Sequence, residues 1–413
     1  MKVVWNNIKW LITGQLASRL IKGVVVIIAA RILGTELFGS FNLALSIAAA
    51  FMLLNDFGLD MLLMREVAKG ESKDPQYLTA LFIIKTGLLF ISAAVLLIFG
   101  PLLSSSILVK NLLAILGASS ILDTLRDFHL SFARGQNKMN VDAINQTIVN
   151  GVIFVISTTG LFLYPSVFLL AYAYLLGSFV GLLITLFDVR TYYYTLKLHY
   201  NYSMLQRVIK ESLPLGLSTA CITILLYADI IIIGTLRDTT SVGLYAAPMK
   251  LIQLLYVGAG LIATAYLPLL SQQASTSQKN FITTIRSFLF ISIITSIGIA
   301  VTSFFIAPYV IPLLFGNTYT SSVYVLQILL GSMPFVYVST VLGYVLLVRN
   351  HQNKMVPFLI IGTSANLLLN VLFIGKLGIE GAAVANVISQ IINFVGYYIV
   401  CTKYIINSHE YFS

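Results

Sequence analysis

Twelve apolar stretches, recurring about every 30 residues, run through this 413-residue chain and leave little of it for any other kind of structure. A hydrocarbon core about 30 Å thick needs about 20 mainly apolar residues in a helix, and only helices or closed barrels satisfy their backbone groups there. The stretches fall near residues 8–31, 40–63, 77–99, 107–130, 141–163, 167–188, 212–235, 242–268, 282–307, 322–347, 356–375 and 380–404. The expected fold is an all-α integral membrane protein with about 12 transmembrane helices. Gln136-Asn137-Lys138-Met139 follows the fourth stretch and Gln352-Asn353-Lys354-Met355 follows the tenth, six stretches on. A duplicated six-helix unit is the usual build of a secondary transporter. The expected organisation is an N-terminal lobe over 1–190, a cytoplasmic linker over 191–211 and a C-terminal lobe over 212–413.

Charge supports the membrane reading. Only 10% of residues are charged, against about 25% in soluble domains, and mean hydropathy is +0.92. A soluble globular protein is excluded. Cys221 and Cys401 lie far apart inside apolar stretches, and the four histidines share no ligand spacing, so neither a disulfide framework nor a metal site is expected. The short polar start, residues 1–9, lacks a small-residue cleavage site after a short apolar region and reads as part of a retained first helix. A net charge of +10 invites a nucleic-acid reading, but the basic residues are scattered through loops without a basic helix face. Of the 25 Lys and Arg, fifteen fall in segments that are cytoplasmic if the N-terminus is inside. Only Arg31, Lys110, Arg237 and Lys376 fall outside, and six lie within spans. That asymmetry places both termini in the cytoplasm.

The six intramembrane cations are Arg19, Lys22, Lys85, Arg126, Lys250 and Arg286. Each costs about 2.5–3.5 kcal/mol at a helix centre on insertion scales, so each needs a cavity, a partner or the interface. Arg19 and Lys22 share one face of the first span, with Gln15 one turn back and no acid on that helix; they line a wet cavity that receives an anion, or pair with an acid from another helix. Lys250 heads a polar stripe with Gln253, Gly260 and Thr264 in the eighth span, either lining a cavity or snorkelling outward; Pro248 close by makes the C-terminal half the lobe expected to bend, whereas Pro214 and Pro357, at span ends, are expected to start helices. Lys85 is a secondary cavity candidate, and Arg286 a snorkelling anchor. Arg126 stands between Asp123 and Asp127 and reads as a self-neutralised cluster. Asn42, Ser46, Asp56 and Asp60 follow one face of the second span, making Asp56 either a partner for Arg19 or an ion site. Asp229, isolated late in the seventh span, is either an H+ or Na+ site or an interfacial cap. Thr363, Asn366, Asn370, Asn386, Ser389, Gln390 and Asn393 in the last two spans read as inter-helix hydrogen-bonding groups.

A series of short motifs carries a family resemblance. They are Ala30-Arg31-Ile32-Leu33-Gly34 with Phe38-Gly39, Asp56-Phe57-Gly58-Leu59, Arg134-Gly135-Gln136, Val242-Gly243-Leu244-Tyr245-Ala246-Ala247, Phe315-Gly316 and Gly378-Ile379-Glu380-Gly381-Ala382-Ala383. In this order the chain resembles the polysaccharide (O-antigen) flippases of the multidrug/oligosaccharidyl-lipid/polysaccharide exporter superfamily. The resemblance implies two pseudo-symmetric six-helix lobes around a central cavity. It implies alternating-access translocation of an undecaprenyl-diphosphate-linked oligosaccharide, an O-antigen or capsule repeat unit, across a bacterial inner membrane. Related flippases have a cationic cavity, matched here by Arg19, Lys22 and Lys250, with Lys85 and Gln15 as secondary lining. The implied partners are the lipid-linked glycan, membrane lipid and the polysaccharide polymerase and chain-length machinery, with no nucleic acid. No cofactor is expected beyond a coupling H+ or Na+, with Asp56 and Asp229 as its candidates. A multidrug/cation antiporter would call for a more acidic cavity. A membrane glycan polymerase or ligase would call for a large outer loop with Arg or His clusters, and every outer loop here is short.

The charge asymmetry makes a direct prediction. A fluorescent protein fused to the C-terminus should fluoresce in cells, whereas alkaline phosphatase fused there should be inactive; the opposite pair of results would invert the topology.

Overall fold

The computed structural model describes residues 2–68, 75–190 and 202–406, with side chains described from Ser18 onward. Among them the chain is helical throughout: α1 (Lys2–Asp56), α2 (Leu59–Ala68), α3 (Pro75–Phe99), α4 (Ile107–Gly135), α5 (Met139–Leu163), α6 (Val167–Asp188) and α7 (Tyr202–Leu236). Then follow α8 (Thr239–Thr276), α9 (Gln278–Phe315), α10 (Ser322–Leu330), α11 (Met333–Val348), α12 (Val356–Leu377) and α13 (Ile379–Cys401). Ten described helices are long and apolar enough to cross a membrane, and α10 with α11, bent by 41° at their junction, is long and apolar enough together to make an eleventh as one broken span. Gly34, at φ 73° and ψ −179°, breaks α1 into two helices and so separates the first two expected crossings. Such a backbone is open to glycine and costly for any residue with a Cβ. Large apolar side chains such as Phe90, Leu97, Phe162, Phe305 and Tyr309 stay at least 69% exposed. Lipid, not water, is the solvent that tolerates such a surface.

The packing separates two compact units, Met1–Gly243 and Leu244–Ser413. In the first, Leu59, Leu62, Leu63, Leu81, Phe128 and Phe132 form a core around α2, α3 and α4. In the second, Phe281, Phe288, Val341, Leu346 and Cys401 gather α8, α9, α11 and α13, with Tyr266 stacked on Phe288 at 4.6 Å.

Helix α7 belongs to the first unit because glycines let it lie against the second segment of α1. A Cβ on Gly58 would sit 2.6 Å from Leu215 Cβ, and one on Gly216 2.7 Å from the Phe57 carbonyl oxygen. Gly234 faces Leu43 midway. Beyond it the contact becomes reciprocal: a side chain at Gly39 would collide with the Thr239 carbonyl, and one at Gly243 with the Thr35 carbonyl. Thr35-x-x-x-Gly39 and Thr239-x-x-x-Gly243 thus cross backbone to backbone, the small-residue contact that substitutes for hydrophobic attraction where lipid is the solvent.

Several local expectations change. The break at Phe57 and Gly58, with φ 35° and 77°, ends α1 and moves Asp60 onto α2, so Asp56 and Asp60 do not share one helix face. Helix α7 starts at Tyr202, which turns the second part of the expected linker into helix and places Pro214 inside it rather than at its start. Residues 191–201 of that linker lie outside the described part. Pro357 does start α12.

The repeated turn is also not where the tetrapeptides align. After α4, the backbone N–H groups of Gln136, Asn137 and Lys138 donate to Phe132, Arg134 and Ala133. After α11, those of Arg349, Asn350 and His351 donate to Val345, Leu347 and Leu346. Asn137 and Asn350 both adopt left-handed backbone, φ 60° and 57°. This is one helix-ending motif made twice, its second copy three residues ahead of Gln352-Asn353-Lys354-Met355. The geometry repeats; the tetrapeptide is offset from it.

Replacing Gly39 or Gly243 by Ala should lower stability in detergent by about 1–3 kcal/mol through overpacking. Gly151→Ala, inside α5 with no atom within 4 Å of the new Cβ, should be neutral or stabilising by up to about 1 kcal/mol. Thermal unfolding checks both, and equal melting of the three variants would refute the close-approach account.

Candidate functional site

The charged interior of the first unit starts on α1. Ser18, Val25 and Ala29 form its buried stripe, and the Ser18 hydroxyl meets the Asn150 amide of α5. That anchoring leaves Arg19 and Lys22 on the flank, both exposed. Among the described residues Arg19 has no ion-pair or hydrogen-bond partner. Lys22 makes no salt bridge among the described residues; its Nζ stands 5.8 Å from the centre of the Tyr174 ring on α6, a cation–π contact of about 0.5–1 kcal/mol at an exposed site. Asp123, Arg126 and Asp127 of α4 are within electrostatic reach of it. Gln15 is helical, but its side chain lies outside the described residues.

Helix α4 presents the other half of this cluster. Arg126 is buried, with Nη1 2.8 Å from Asp123 Oδ1 and Nη2 3.3 Å from Asp127 Oδ1. The self-neutralised cluster read from the sequence is present, and it extends to Lys22. Ser119 and Ser178 join hydroxyls at 2.9 Å alongside, and the Asn145 amide donates to Thr185 and to the Gly181 carbonyl at 2.8 Å, tying α4, α5 and α6 into one polar interior.

Lys85 takes a different part from the one expected. It is 1% exposed, its Nζ is 2.8 Å from Asp60 Oδ1, and it stands 5.3 Å from the Phe128 ring centre. It is the closed half of an ion pair between α3 and α2 rather than an unpartnered cavity cation. Asp56 is half-buried, with Oδ1 enclosed and lacking a hydrogen-bond partner, and the Asn55 amide beside it is fully enclosed and likewise unpartnered. Asp229 is 1% exposed and engaged by a neighbour. Lys250 is half-exposed on α8 in the second unit and also has a partner. In that unit Asn366, Asn370, Asn386, Ser389 and Asn393 are all buried; Asn370 and Ser389 donate to backbone carbonyls of their own helices.

Glu211 was not singled out in the sequence. Its carboxylate accepts from Arg65 of α2 at 2.8 Å, from Tyr77 of α3 at 3.2 Å and from Arg207 one turn earlier at 2.9 Å. Only the Arg207 spacing was a local signal; the other two partners are more than 130 residues away. Arg134 and Asp142 form a two-pronged pair at 3.0 and 3.1 Å across the α4–α5 turn.

An apolar, all-helical chain of this length, with glycine-seamed helices and charges inside its bundle, is a multi-pass membrane protein with the fold of the multidrug/oligosaccharidyl-lipid/polysaccharide exporter superfamily. The chain belongs to the polysaccharide biosynthesis protein family, whose profile matches residues 4–274. Over 173 residues it is 28% identical to a probable low-salt glycan biosynthesis flippase, Agl15, of Haloferax volcanii, covering 41% of this chain and 36% of that one. Over 209 residues it is 25% identical to the capsular polysaccharide biosynthesis protein CapF of Staphylococcus aureus, covering 50% and 53%. The chain thus matches about a third and about half of the lengths of these relatives. Among solved structures, the lipid II flippase MurJ in an inward closed conformation superposes with a TM-score of 0.79 over 94% of this chain and 86% of that one, at 17% identity. That likeness carries the fold.

Replacing Lys85 by Met leaves Asp60 without its counter-charge and should cost about 3 kcal/mol. Lys85→Met combined with Asp60→Asn should regain much of that loss in thermal unfolding. A single variant as stable as the native protein would mean that the pair does not hold α3 to α2.

Proposed function

We propose that this protein is a flippase that carries an undecaprenyl-diphosphate-linked oligosaccharide, an O-antigen or capsule repeat unit, from the cytoplasmic to the outer leaflet of a bacterial inner membrane by alternating access. It is a transporter rather than an enzyme, with both termini in the cytoplasm. Its partners are the lipid-linked glycan, the surrounding lipid and the polymerase and chain-length machinery that uses the flipped unit. Membership of the polysaccharide biosynthesis family supports the class of cargo. The observation that carries the mechanism is Arg19 and Lys22, two exposed cations one turn apart on α1 with no carboxylate salt-bridged to either among the described residues. The lipid-linked cargo always brings its diphosphate, and some glycans add acidic sugars. Either would offset the cost of holding these cations inside the membrane.

In this reading Arg19 and Lys22 are the first contacts for the cargo's negative charge, and Gln15, Lys85 and Lys250 are the further residues assigned to it from the sequence. The lipid tail remains in the bilayer while the polar head passes. An ion gradient supplies the energy, with H+ or Na+ carried on a membrane carboxylate; Asp56 and Asp229 are the two assigned from the sequence.

The test is Arg19→Ala with Lys22→Ala, expressed in a strain that depends on this gene for its surface glycan. Surface polysaccharide should fall roughly tenfold or more, equivalent to at least about 1.4 kcal/mol of lost cargo binding, at unchanged protein level. Normal polysaccharide at normal protein level would defeat the cationic grip.

A further inference from the structure

The second unit is almost without acids. Its described residues carry seven Lys and Arg but one carboxylate, Glu380 at the start of α13, and Glu410 lies outside the described residues. Three of the cations gather at the other end of α13. The turn Gln352–Met355 sets Lys354 in front of α12, and a π-helical turn, Thr402–Ile406, carries Lys403 and Tyr404 beyond α13. The Nζ atoms of Lys354 and Lys403 stand 5.6 and 5.4 Å from the centre of the same Tyr404 ring, and the His351 ring lies 5.4 Å from it. Arg349 completes the group from the end of α11. Its Nη2 donates to Gln278 Oε1 at 2.5 Å, and the Gln278 amide reaches the carbonyl of Ile405, next to Tyr404, at 3.5 Å. The Arg349 guanidinium lies 4.6 Å from the Phe281 ring centre, and its Nε is enclosed without an acceptor. Buried donors in this condition are uncommon and call for an explanation. No carboxylate pairs with Arg349, Lys354 or Lys403 among the described residues.

Two ammonium groups on one ring repel each other, and their cation–π contacts offset only part of that cost. A phosphate between them would reverse its sign, with charge-assisted hydrogen bonds from both. Both lysines are exposed, and each caps a stretch of exposed apolar surface. From Lys354 the open side of α12 continues at helical spacing through Ile361 and Leu368, 55% and 66% exposed, while Lys403 follows Val395 and Ile399 on the open side of α13. The fitting occupant is therefore an anion joined to acyl chains. We propose that Arg349, Lys354 and Lys403 form a site for the phosphate of an anionic phospholipid, its chains lying against α12 and α13. The excess of basic residues in the inner loops puts this end at the cytoplasmic leaflet, where anionic headgroups attract basic clusters next to a membrane span. The bilayer's own phospholipid is the occupant rather than the lipid-linked cargo, because a standing site fills by mass action with the abundant lipid. The bound headgroup ties the α11–α12 turn to the end of α13 and makes the order of this end depend on the charge of the leaflet.

The full chain in neutral detergent is titrated separately with phosphatidylglycerol, phosphatidylcholine and farnesyl diphosphate, and native mass spectrometry reads the bound lipid. The native protein should bind phosphatidylglycerol at least about tenfold more tightly than phosphatidylcholine. Each lysine near an anionic headgroup is worth about fivefold, so Lys354→Ala with Lys403→Ala should weaken phosphatidylglycerol by roughly thirtyfold and leave phosphatidylcholine unchanged. Lys354→Arg with Lys403→Arg keeps both charges and should bind as the native protein does. Lys376→Ala, at the far end of α12, should also keep the native affinity. Equal native binding of the two phospholipids overturns the site, as does native affinity for phosphatidylglycerol in the alanine pair. An equal loss in the arginine pair or in Lys376→Ala does the same. Farnesyl diphosphate binding more tightly than phosphatidylglycerol, and lost in the alanine pair, would give the site to the cargo and overturn its assignment to leaflet lipid. The flippase reading is tested at Arg19 and Lys22 and stands or falls independently of these outcomes.

Discussion

A charge inside a bilayer-spanning bundle persists only where something compensates it, and the internal order of the first unit follows from how each cation meets that demand. Lys85 is closed by Asp60, Arg126 by Asp123 and Asp127, and Arg134 by Asp142. Two unit charges 4 Å apart attract by about 4 kcal/mol at an effective dielectric constant of 20, comparable with the insertion cost of a cation of about 2.5–3.5 kcal/mol. Pairing therefore roughly cancels that cost while fixing α2 to α3 and α4 to α5. Among the described residues Arg19 has no such compensation, and Lys22 has the Tyr174 ring and a cluster already occupied by its own arginine. On the insertion scale the two represent about 5–7 kcal/mol, a large share of the about 5–15 kcal/mol by which folded proteins are stable.

The frame that holds these charges is made of backbone rather than bulky side chains. Helix α7 runs antiparallel to the second segment of α1, from Gly216 against Phe57 and Gly58 to Gly234 against Leu43, and the start of α8 continues the contact with Thr239 and Gly243 against Thr35 and Gly39. Lipid offers no hydrophobic reward for bringing two apolar helices together, so close approach at small residues carries the association. The Glu211 carboxylate adds charged contacts at one end of this seam. Arg65 and Arg207 are exposed, and ion pairs of that kind contribute little individually, about 0–1 kcal/mol, whereas Tyr77 donates from a buried position. The seam is thus tight in geometry, and its charged end adds little energy to it.

The sequence made the crossings legible because each needs about 20 apolar residues, a signal no turn can imitate. It also made the Arg126 cluster legible, since both partners lie within one helical turn. What it hid was long-range or depended on turns. Asp60 and Lys85 are 25 residues apart on separate helices, and the positive φ at Phe57 and Gly58 that takes Asp60 off the face of Asp56 leaves no periodic trace. Pro214 resembled a helix start only because the polar residues before it hid the helical turns from Tyr202 onward. The matching tetrapeptides pointed toward an internal repeat, but the turn that recurs is built from Gln136-Asn137-Lys138 and Arg349-Asn350-His351, where only a left-handed Asn is shared. Conformation was kept where residue identity was not.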